Sequence, residues 1–481
     1  SLWNFSFWFD PKPGYQKMNK DKKLVPGLPS GFEDRWGNKI LLKKKLLEII
    51  EKNFVKFGAE ALETPSFEIS ENIGSFLSED QENPMSDVFT FKDGEKNMTL
   101  RYDLSSPLAR FVAQNNQELP SIYKRYAIQN VFRNEKPGNG RFREFTQADF
   151  DIIGKTDPAQ ANSELCDLIS STLLNCGLKK EQFTINVSNR KIVQGIINDL
   201  NISEDKQLKV IRAIDKLDKP GFGIRGVEDL LRKERKDSSG AVTKGANLND
   251  EQVIKILNFL KIKDLNQLKN YLNNSLSKEG VKELEDFFEI IEMGPYKDQV
   301  KTNFTIVRGL DYYDGFIIET NLNYKVTNLK GKEVDIGSIC SGGAYAKLIS
   351  RFKGVDIPGT GISFGVDRIL FAMMQLDQIT IDQQKPVMVC VMDKKYLRKY
   401  YEILNILREN NINSEIFLDS KKNLGKQLTQ ANKRRLPIAI ICGENEFKDN
   451  TITVKNLLGE KGDNSKTIPK ENLINEIKKI I

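Results

Sequence analysis

The densest chemistry in the chain lies in the run Phe132-Arg133-Asn134-Glu135-Lys136-Pro137-Gly138-Asn139-Gly140-Arg141-Phe142-Arg143-Glu144-Phe145-Thr146-Gln147, where arginines crowd both sides of a tight glycine-bearing loop. If the second half is a strand, Arg143, Phe145, Gln147, Asp149 and Asp151 share one face, and Ala148, Phe150 and Ile152 share the other. A charged face backed by an apolar one suits the floor of a ligand site, and suits an amphipathic surface strand equally well. Two further runs, Arg308-Gly309-Leu310-Asp311-Tyr312-Tyr313 and Gly342-Gly343-Ala344-Tyr345, set tyrosine hydroxyls beside bends that glycine permits. Finally, Gly359-Thr360-Gly361-Ile362-Ser363-Phe364-Gly365-Val366-Asp367-Arg368 reads as a strand entering a helix, with Arg368 in the first turn. A cation there opposes the helix dipole, so its better use is to reach an anion.

What the chain lacks is equally informative. It has 481 residues and no histidine. Ser–His–Asp hydrolysis, Cys–His proteolysis, His-based zinc catalysis and phosphohistidine relays are therefore excluded. Acid–base chemistry must come from Asp, Glu, Tyr, Lys, Cys or the substrate itself. No Walker A sequence occurs, and the glycines at 359–365 lack the dinucleotide spacing, so any ATP site is not a P-loop. The five scattered cysteines form no C-x-x-C pair, which argues against a zinc site or disulfides and for a reducing cytoplasm. A net charge of +7, from 73 Lys+Arg against 66 Asp+Glu, permits a nucleic-acid partner without requiring one. No apolar stretch approaches the ~18 residues of a spanning helix.

The elements that must position these residues follow from periodicity. Leu42, Leu46, Leu47, Ile49, Ile50, Phe54 and Phe57 recur at helical spacing ahead of Gly58. Short strands are expected at Ala61–Leu62 and Asn97–Asp103, and a helix capped at Ser106-Pro107. Two strands, Tyr126–Arg133 and Phe142–Ile153, flank the loop, and a helix covers residues 159–177. Residues 190–300 read as mostly helical, interrupted by a polar loop at Arg232–Lys244. Strand character returns at Phe304–Val307 and Gly315–Glu319. Beyond a linker at 377–385, strands and helices alternate as in a small α/β unit with a largely parallel sheet. Residues 1–17 are aromatic-rich and read as an extension outside the fold.

With these motifs in chain order, the sequence resembles the histidyl-tRNA synthetases, class II aminoacyl-tRNA synthetases, from about Pro26 to Ile481. Motif 1 resembles the first helix and its strand at Pro65. Motif 2 resembles Tyr126–Gly154 with Phe-Arg-x-Glu at 132–135, and motif 3 resembles Gly359–Leu370. Arg-Gly-Leu-Asp-Tyr-Tyr at 308–313 is the histidyl-specific signature. The resemblance implies an α+β catalytic domain with a mainly antiparallel sheet (18–190 and 301–376), a helical insertion domain (191–300) and a C-terminal α/β anticodon-binding domain (386–481). It implies activation of L-histidine with ATP and Mg²⁺, transfer to the 3′ end of tRNA(His), and a homodimer in the cytoplasm.

The resemblance also implies residue roles. Arg133 and Arg308 flank the α-phosphate and are the catalytic cations. Glu135, Arg141, Phe145 and Arg368 complete the ATP site, with Phe145 and Arg368 on opposite faces of adenine. Asp103, Ser105, Gln147, Asp151, Tyr312, Tyr313 and Tyr345 surround the histidine substrate. Lys394, Lys395, Arg398, Lys399, Lys421, Lys422, Lys426, Lys433, Arg434 and Arg435 could track tRNA phosphates. No metal ligand is assigned.

The chain departs from the family pattern in four places. Ala344 and Ala346 replace the Arg and Asp of Gly-Gly-Arg-Tyr-Asp, and Thr146 stands where a histidine is frequent. Asp103-Leu104-Ser105 replaces Glu-Gly-Thr, and the loop 136–140 is short, which bears on the extra 5′ guanosine of tRNA(His). The rival reading is a non-charging paralogue: a histidine-sensing regulatory subunit or an RNA-binding regulator. Such proteins typically lose the ATP arginines and the anticodon domain, both of which this chain keeps.

Overall fold

In the computed structural model, the described residues are 25–73, 87–138, 141–218, 222–236, 242–307, 313–327, 331–352, 357–376, 385–459 and 464–481. Arg308, Tyr312, the extension 1–17 and most of the linker at 377–385 lie outside them. The chain divides into two units, Ser1–Thr380 and Ile381–Ile481.

The first unit is organised by an eight-stranded sheet. Its strands are β1 (Glu60–Ala61), β2 (Ile122–Phe132), β3 (Glu144–Gly154), β4 (Phe183–Asn189), β5 (Val300–Thr302), β6 (Phe316–Leu322), β7 (Cys340–Ala344) and β8 (Gly359–Gly365). They lie in the order β1-β2-β3-β8-β7-β6-β4-β5. Only the outer pairs, β1 with β2 and β5 with β4, run parallel; every inner pair is antiparallel. The mainly antiparallel α+β expectation holds.

One face of this sheet is covered by helices. Helix α1 (Asn38–Lys56) buries Leu42, Leu46, Ile50 and Phe54, the expected stripe, and stops where Gly58 takes φ +82°. Phe54 packs against Phe150 of β3 at 5.6 Å and Phe364 of β8 at 5.9 Å. The apolar side of β3 thus faces the helices, as its alternation predicts, and Gln147, Asp149 and Asp151 face the other way. Helix α2 (Ser105–Asn115) follows the short three-stranded sheet of 67–100. Its cap differs from expectation: Ser106 donates its backbone N–H to Asp103 Oδ1 at 3.0 Å and its hydroxyl to Oδ2 at 3.3 Å. Asp103 rather than Ser106 thus supplies the acceptor for an otherwise unpaired N–H of the first turn. Helices α3 (Pro158–Asn175) and α4 (Val366–Gln375) complete the layer beside α1.

Between Arg190 and Ile291 the described elements are mainly helices, and Ser275–Ile291 packs against α3 and Arg190–Asp199. Two local expectations are corrected. The polar stretch Arg232–Lys244 is not loop throughout, since Glu234–Lys236 pairs with Val242–Lys244 as a hairpin. The strand expected at Phe304–Val307 is instead β5, ended by Asn303. The Asn303 side chain accepts the Thr305 N–H at 3.2 Å and turns the chain out of the sheet.

The second unit has a five-stranded sheet. Val387–Val389 lies parallel between Ser414–Ile416 and Ile438–Ile441. Thr451–Asn456 and Ser465–Pro469 extend it antiparallel, so the sheet is mixed rather than largely parallel. Tyr400, Ile403, Leu404 and Leu407 of helix Leu397–Glu409 fill its core with Val387, Ile438, Leu473 and Ile477. All five cysteines are free and buried, and no described helix is long and apolar enough to cross a membrane.

Candidate active site

The polar face of the sheet opens into one cavity lined by Arg133, Glu135, Arg141, Phe142, Phe145, Gln147, Ser338–Ser341, Ser363, Gly365, Asp367 and Arg368. The sequence-predicted nucleotide residues Arg133, Glu135, Arg141, Phe145 and Arg368 therefore meet in one place, while Arg308 lies outside the described residues. The guanidinium of Arg133 lies 4.4 Å from the Tyr102 ring and 5.1 Å from the Phe145 ring, and its Nε donates to the Tyr102 carbonyl at 3.2 Å. Two aromatic faces and a carbonyl hold the cation without neutralising it. Glu135 accepts the Tyr102 hydroxyl at 3.0 Å and pairs with Arg141.

Arg368 stands in the first turn of α4 and donates NH1 to the Ser338 carbonyl at 2.7 Å. Burial, then the neighbouring Arg133 and Arg141 cations, push its pKa down from the ordinary guanidinium value. It remains ionised, since guanidinium cannot be deprotonated in proteins. Arg141 is paired with Glu135, so Arg133 and Arg368 are the like charges that repel across this partly enclosed cavity, and an anion between them relieves that repulsion.

Asp367, the residue before Arg368, anchors this corner. Its carboxylate accepts Lys43 Nζ at 3.1 and 3.3 Å and the Thr146 N–H at 2.8 Å, and forms an ion pair with Arg35 NH2 at 3.3 Å. Burial pushes the Lys43 pKa down, and its pairing with Asp367 opposes that shift. The Thr146 hydroxyl donates to Asn130 Oδ1 at 2.7 Å, so the position where relatives often carry histidine is filled without one.

A second cluster lies further along β3, outside the cavity lining. Asp151 is buried, pairs with Arg125 of β2 (NH2 to Oδ2, 2.9 Å) and accepts the Tyr345 hydroxyl. Tyr345 is in turn 6.4 Å from Tyr313, ring to ring. Burial raises the pKa of Asp151, with Arg125 opposing, and burial likewise raises that of Tyr345. Asp149 is pushed up to about 7, chiefly by burial, against the pull of Arg125. Asp103 acts on both carboxylates as a further nearby negative charge. Ser105 begins α2 beside it. Gln147 joins the two clusters: it lines the cavity and donates Nε2 to Ser363 Oγ at 2.6 Å.

Glycines make room for this cluster. A Cβ on Gly361 would sit 2.1 Å from Asp151 Oδ1, and one on Gly342 would sit 2.0 Å from the Gly361 carbonyl. The altered stretch at 344–346 is held from the backbone: Asp314 donates its N–H to the Ala344 carbonyl at 3.1 Å, and its carboxylate accepts the N–H of Ala346 (3.4 Å) and Lys347 (3.2 Å).

Sequence reasoning missed Arg125, Tyr102 and Asp367 as parts of the site. Asp149 was legible only as a member of the right face. In the second unit, Lys395, Lys422 and Arg434 are paired with Glu444, Asp419 and Glu415. Lys399 lies 5.1 Å over the Phe447 ring, and the Arg398 side chain is 96% exposed.

Comparison with known proteins agrees with this geometry. The family described as histidyl-tRNA synthetase matches residues 31–369, and the anticodon binding domain family matches residues 386–480. A histidine–tRNA ligase of Pelagibacter ubique (strain HTCC1062) is 75% identical over 465 residues, covering 96% of this chain and all of that protein. One from Rhizobium meliloti (strain 1021) is 39% identical over 457 residues, covering 92% of this chain and 90% of that protein. The crystal structure of histidyl-tRNA synthetase from Nostoc sp. PCC 7120 superposes with a TM-score of 0.70 at 27% identity, covering 95% of this chain and 100% of that one. With both its family matches in place and its relatives aligned almost end to end, the chain belongs to the histidyl-tRNA synthetase family.

Proposed function

We propose that this chain is an ATP-dependent histidine–tRNA ligase. It would join L-histidine to the α-phosphate of ATP with release of pyrophosphate, then pass the histidyl group to the 3′ end of tRNA(His). The observation that carries this reading is the convergence of Arg133 and Arg368 on one cavity floored by Phe145. Negative charge builds on phosphate oxygens as the carboxylate attacks, and preorganised cations in a partly enclosed site stabilise it most.

In this reading Arg133 holds the α-phosphate and the amino-acid carboxylate, with Arg308 on the other side. Arg368 lies over adenine and reaches the γ-phosphate, Phe145 takes the opposite ring face, and Glu135 and Arg141 bind nearby. Asp103, Ser105 and Gln147 take the α-amino group. Asp151, Tyr312, Tyr313 and Tyr345 take the imidazole, because an acceptor backed by aromatic rings suits a ring that carries an N–H. A site built on such hydrogen bonds rejects analogues lacking them by ~10⁴–10⁵. ATP arrives as its Mg²⁺ complex, the ion serving as counter-ion to the substrate's phosphates. Among the described residues no group of three acids, cysteines or histidines could hold a resident metal.

The second unit is read as the anticodon-binding domain, with the exposed Arg398 among its phosphate contacts, and the motif 1 helix as part of a homodimer surface. The charging reading is preferred to a regulatory paralogue because both the cavity arginines and the anticodon-domain match are present. ATP–pyrophosphate exchange with each amino acid, followed by charging of tRNA(His) with and without the extra 5′ guanosine, tests it. Exchange dependent on histidine alone is expected. Absence of histidine-dependent exchange would end the reading.

A further inference from the structure

Among the described residues the largest fully buried side chain is a cation, Arg125, with 0% exposure. It sits in the middle of β2 directly opposite Asp151 of β3. Its NH2 group does two things at once: it pairs with Asp151 Oδ2 at 2.9 Å and donates to the Leu104 carbonyl at 3.0 Å. Leu104 directly follows Asp103, whose carboxylate caps α2. A single guanidinium therefore ties the backbone beside one substrate-facing carboxylate to the side chain of the other.

The rest of this side chain is poorly served. Arg125 Nε and NH1 are buried without a hydrogen-bond partner. Buried unsatisfied donors and a buried cation are costly to a fold, and stability alone is often served as well by an apolar residue. Among the described residues the other groups acting on Asp151 supply no second cation: Tyr345 donates to it from beside β7, while Asp103 and Asp149 add negative charge.

We propose that Arg125 is a positioning residue for histidine, acting through Asp151. It holds Asp151 as an ionised acceptor for the ring and sets its separation from Asp103, which takes the α-amino group. The proposal rests on the assignment of Asp151 to the imidazole made above. Among the described residues Arg125 hydrogen-bonds and pairs only with Leu104 and Asp151, neither of which lines the nucleotide cavity, so the proposal requires an ATP KM that barely responds to its replacement.

The test is ATP–pyrophosphate exchange by the full-length protein and its Arg125→Met and Arg125→Lys variants, with folding followed by thermal unfolding. Breaking a buried pair from one side is severe, so Arg125→Met is expected to raise the histidine KM by ~100-fold or more, with the ATP KM within about threefold of wild type. In that variant Asp151 keeps its proton to higher pH. Its histidine KM should therefore fall as pH rises from about 6 to about 9, beyond any wild-type change. Lysine keeps the charge, but its shorter side chain stops short of the point where the guanidinium NH2 meets both Leu104 and Asp151. Arg125→Lys should fold, retain the wild-type pH profile and raise the histidine KM about tenfold.

An unchanged histidine KM in Arg125→Lys, or histidine and ATP KM values rising together in either variant, overturns the proposal. If Arg125→Met does not fold, the lysine variant decides. Failure of the wild type to exchange with histidine would instead sink the functional reading itself, so the two failures are distinct.

Discussion

The backbone N–H of Thr146 donates to Asp367 Oδ2 at 2.8 Å, joining residues 221 positions apart in the chain. Because Arg368 is the next residue after Asp367, this bond fixes where the nucleotide-facing cation leaves α4 relative to the strand that carries Phe145 and Gln147. Lys43 and Arg35 complete the same carboxylate from the other side. Asp367→Ala leaves Lys43 buried and uncompensated, which should cost about 3–5 kcal/mol of stability and raise the ATP KM. Urea unfolding and exchange kinetics measure the two effects. A variant of wild-type stability and wild-type ATP KM contradicts the anchoring role.

The stacking of Arg133 between Tyr102 and Phe145 makes a planar cation necessary at that position. Arg133→Lys keeps the charge but loses both stacked faces and the fork geometry. Adenylate formation should fall by ~10²–10³, the usual loss when one preorganised charge donor is removed. Thermal unfolding should shift little. Arg308→Ala should reduce adenylate formation severely with the fold intact, and near-normal pyrophosphate exchange would remove Arg308 from the mechanism.

Gly361 is where the sheet makes space for the ring-binding carboxylate. A methyl group there meets Asp151 Oδ1 at 2.1 Å and the Phe150 carbonyl at 2.9 Å, while Arg125 and Tyr345 prevent Asp151 from moving aside. Gly361→Ala is expected to raise the histidine KM by ~100-fold, the order reached when a site's polar contact is broken. The ATP KM should move far less. A normal histidine KM would show that Asp151 does not contact substrate.

Asp149 confers a pH dependence on stability. Burial pushes its pKa up from 3.8 to about 7. Between those values the folded chain holds a proton that the unfolded chain has released, so stability falls as pH rises through this window and levels off above about 7. Asp149→Asn cannot ionise and lacks that loss. Its advantage over wild type in unfolding free energy, measured by urea titration, should be larger at about pH 8 than at about pH 4, by on the order of a few kcal/mol. Equal differences at both pH values would rule this titration out.

Much of this site was readable before any fold was known. The period-two pattern from Arg143 to Ile152 separates the substrate side of β3 from its core side. The helical stripe of α1 identifies Leu42, Leu46, Ile50 and Phe54 as core, and the glycine-rich entry to α4 puts Arg368 in a first turn. Each rests on local geometry, because side-chain direction within one element follows from residue spacing alone. Strand register and long-range charge pairing do not. That Arg125 lies opposite Asp151, that Asp367 gathers Lys43, Arg35 and Thr146, and that Asp314 holds the altered 344–346 stretch were decided by which strands and helices became neighbours. Those pairings depend on the packing of segments tens to hundreds of residues apart, and no spacing within a single segment encodes them.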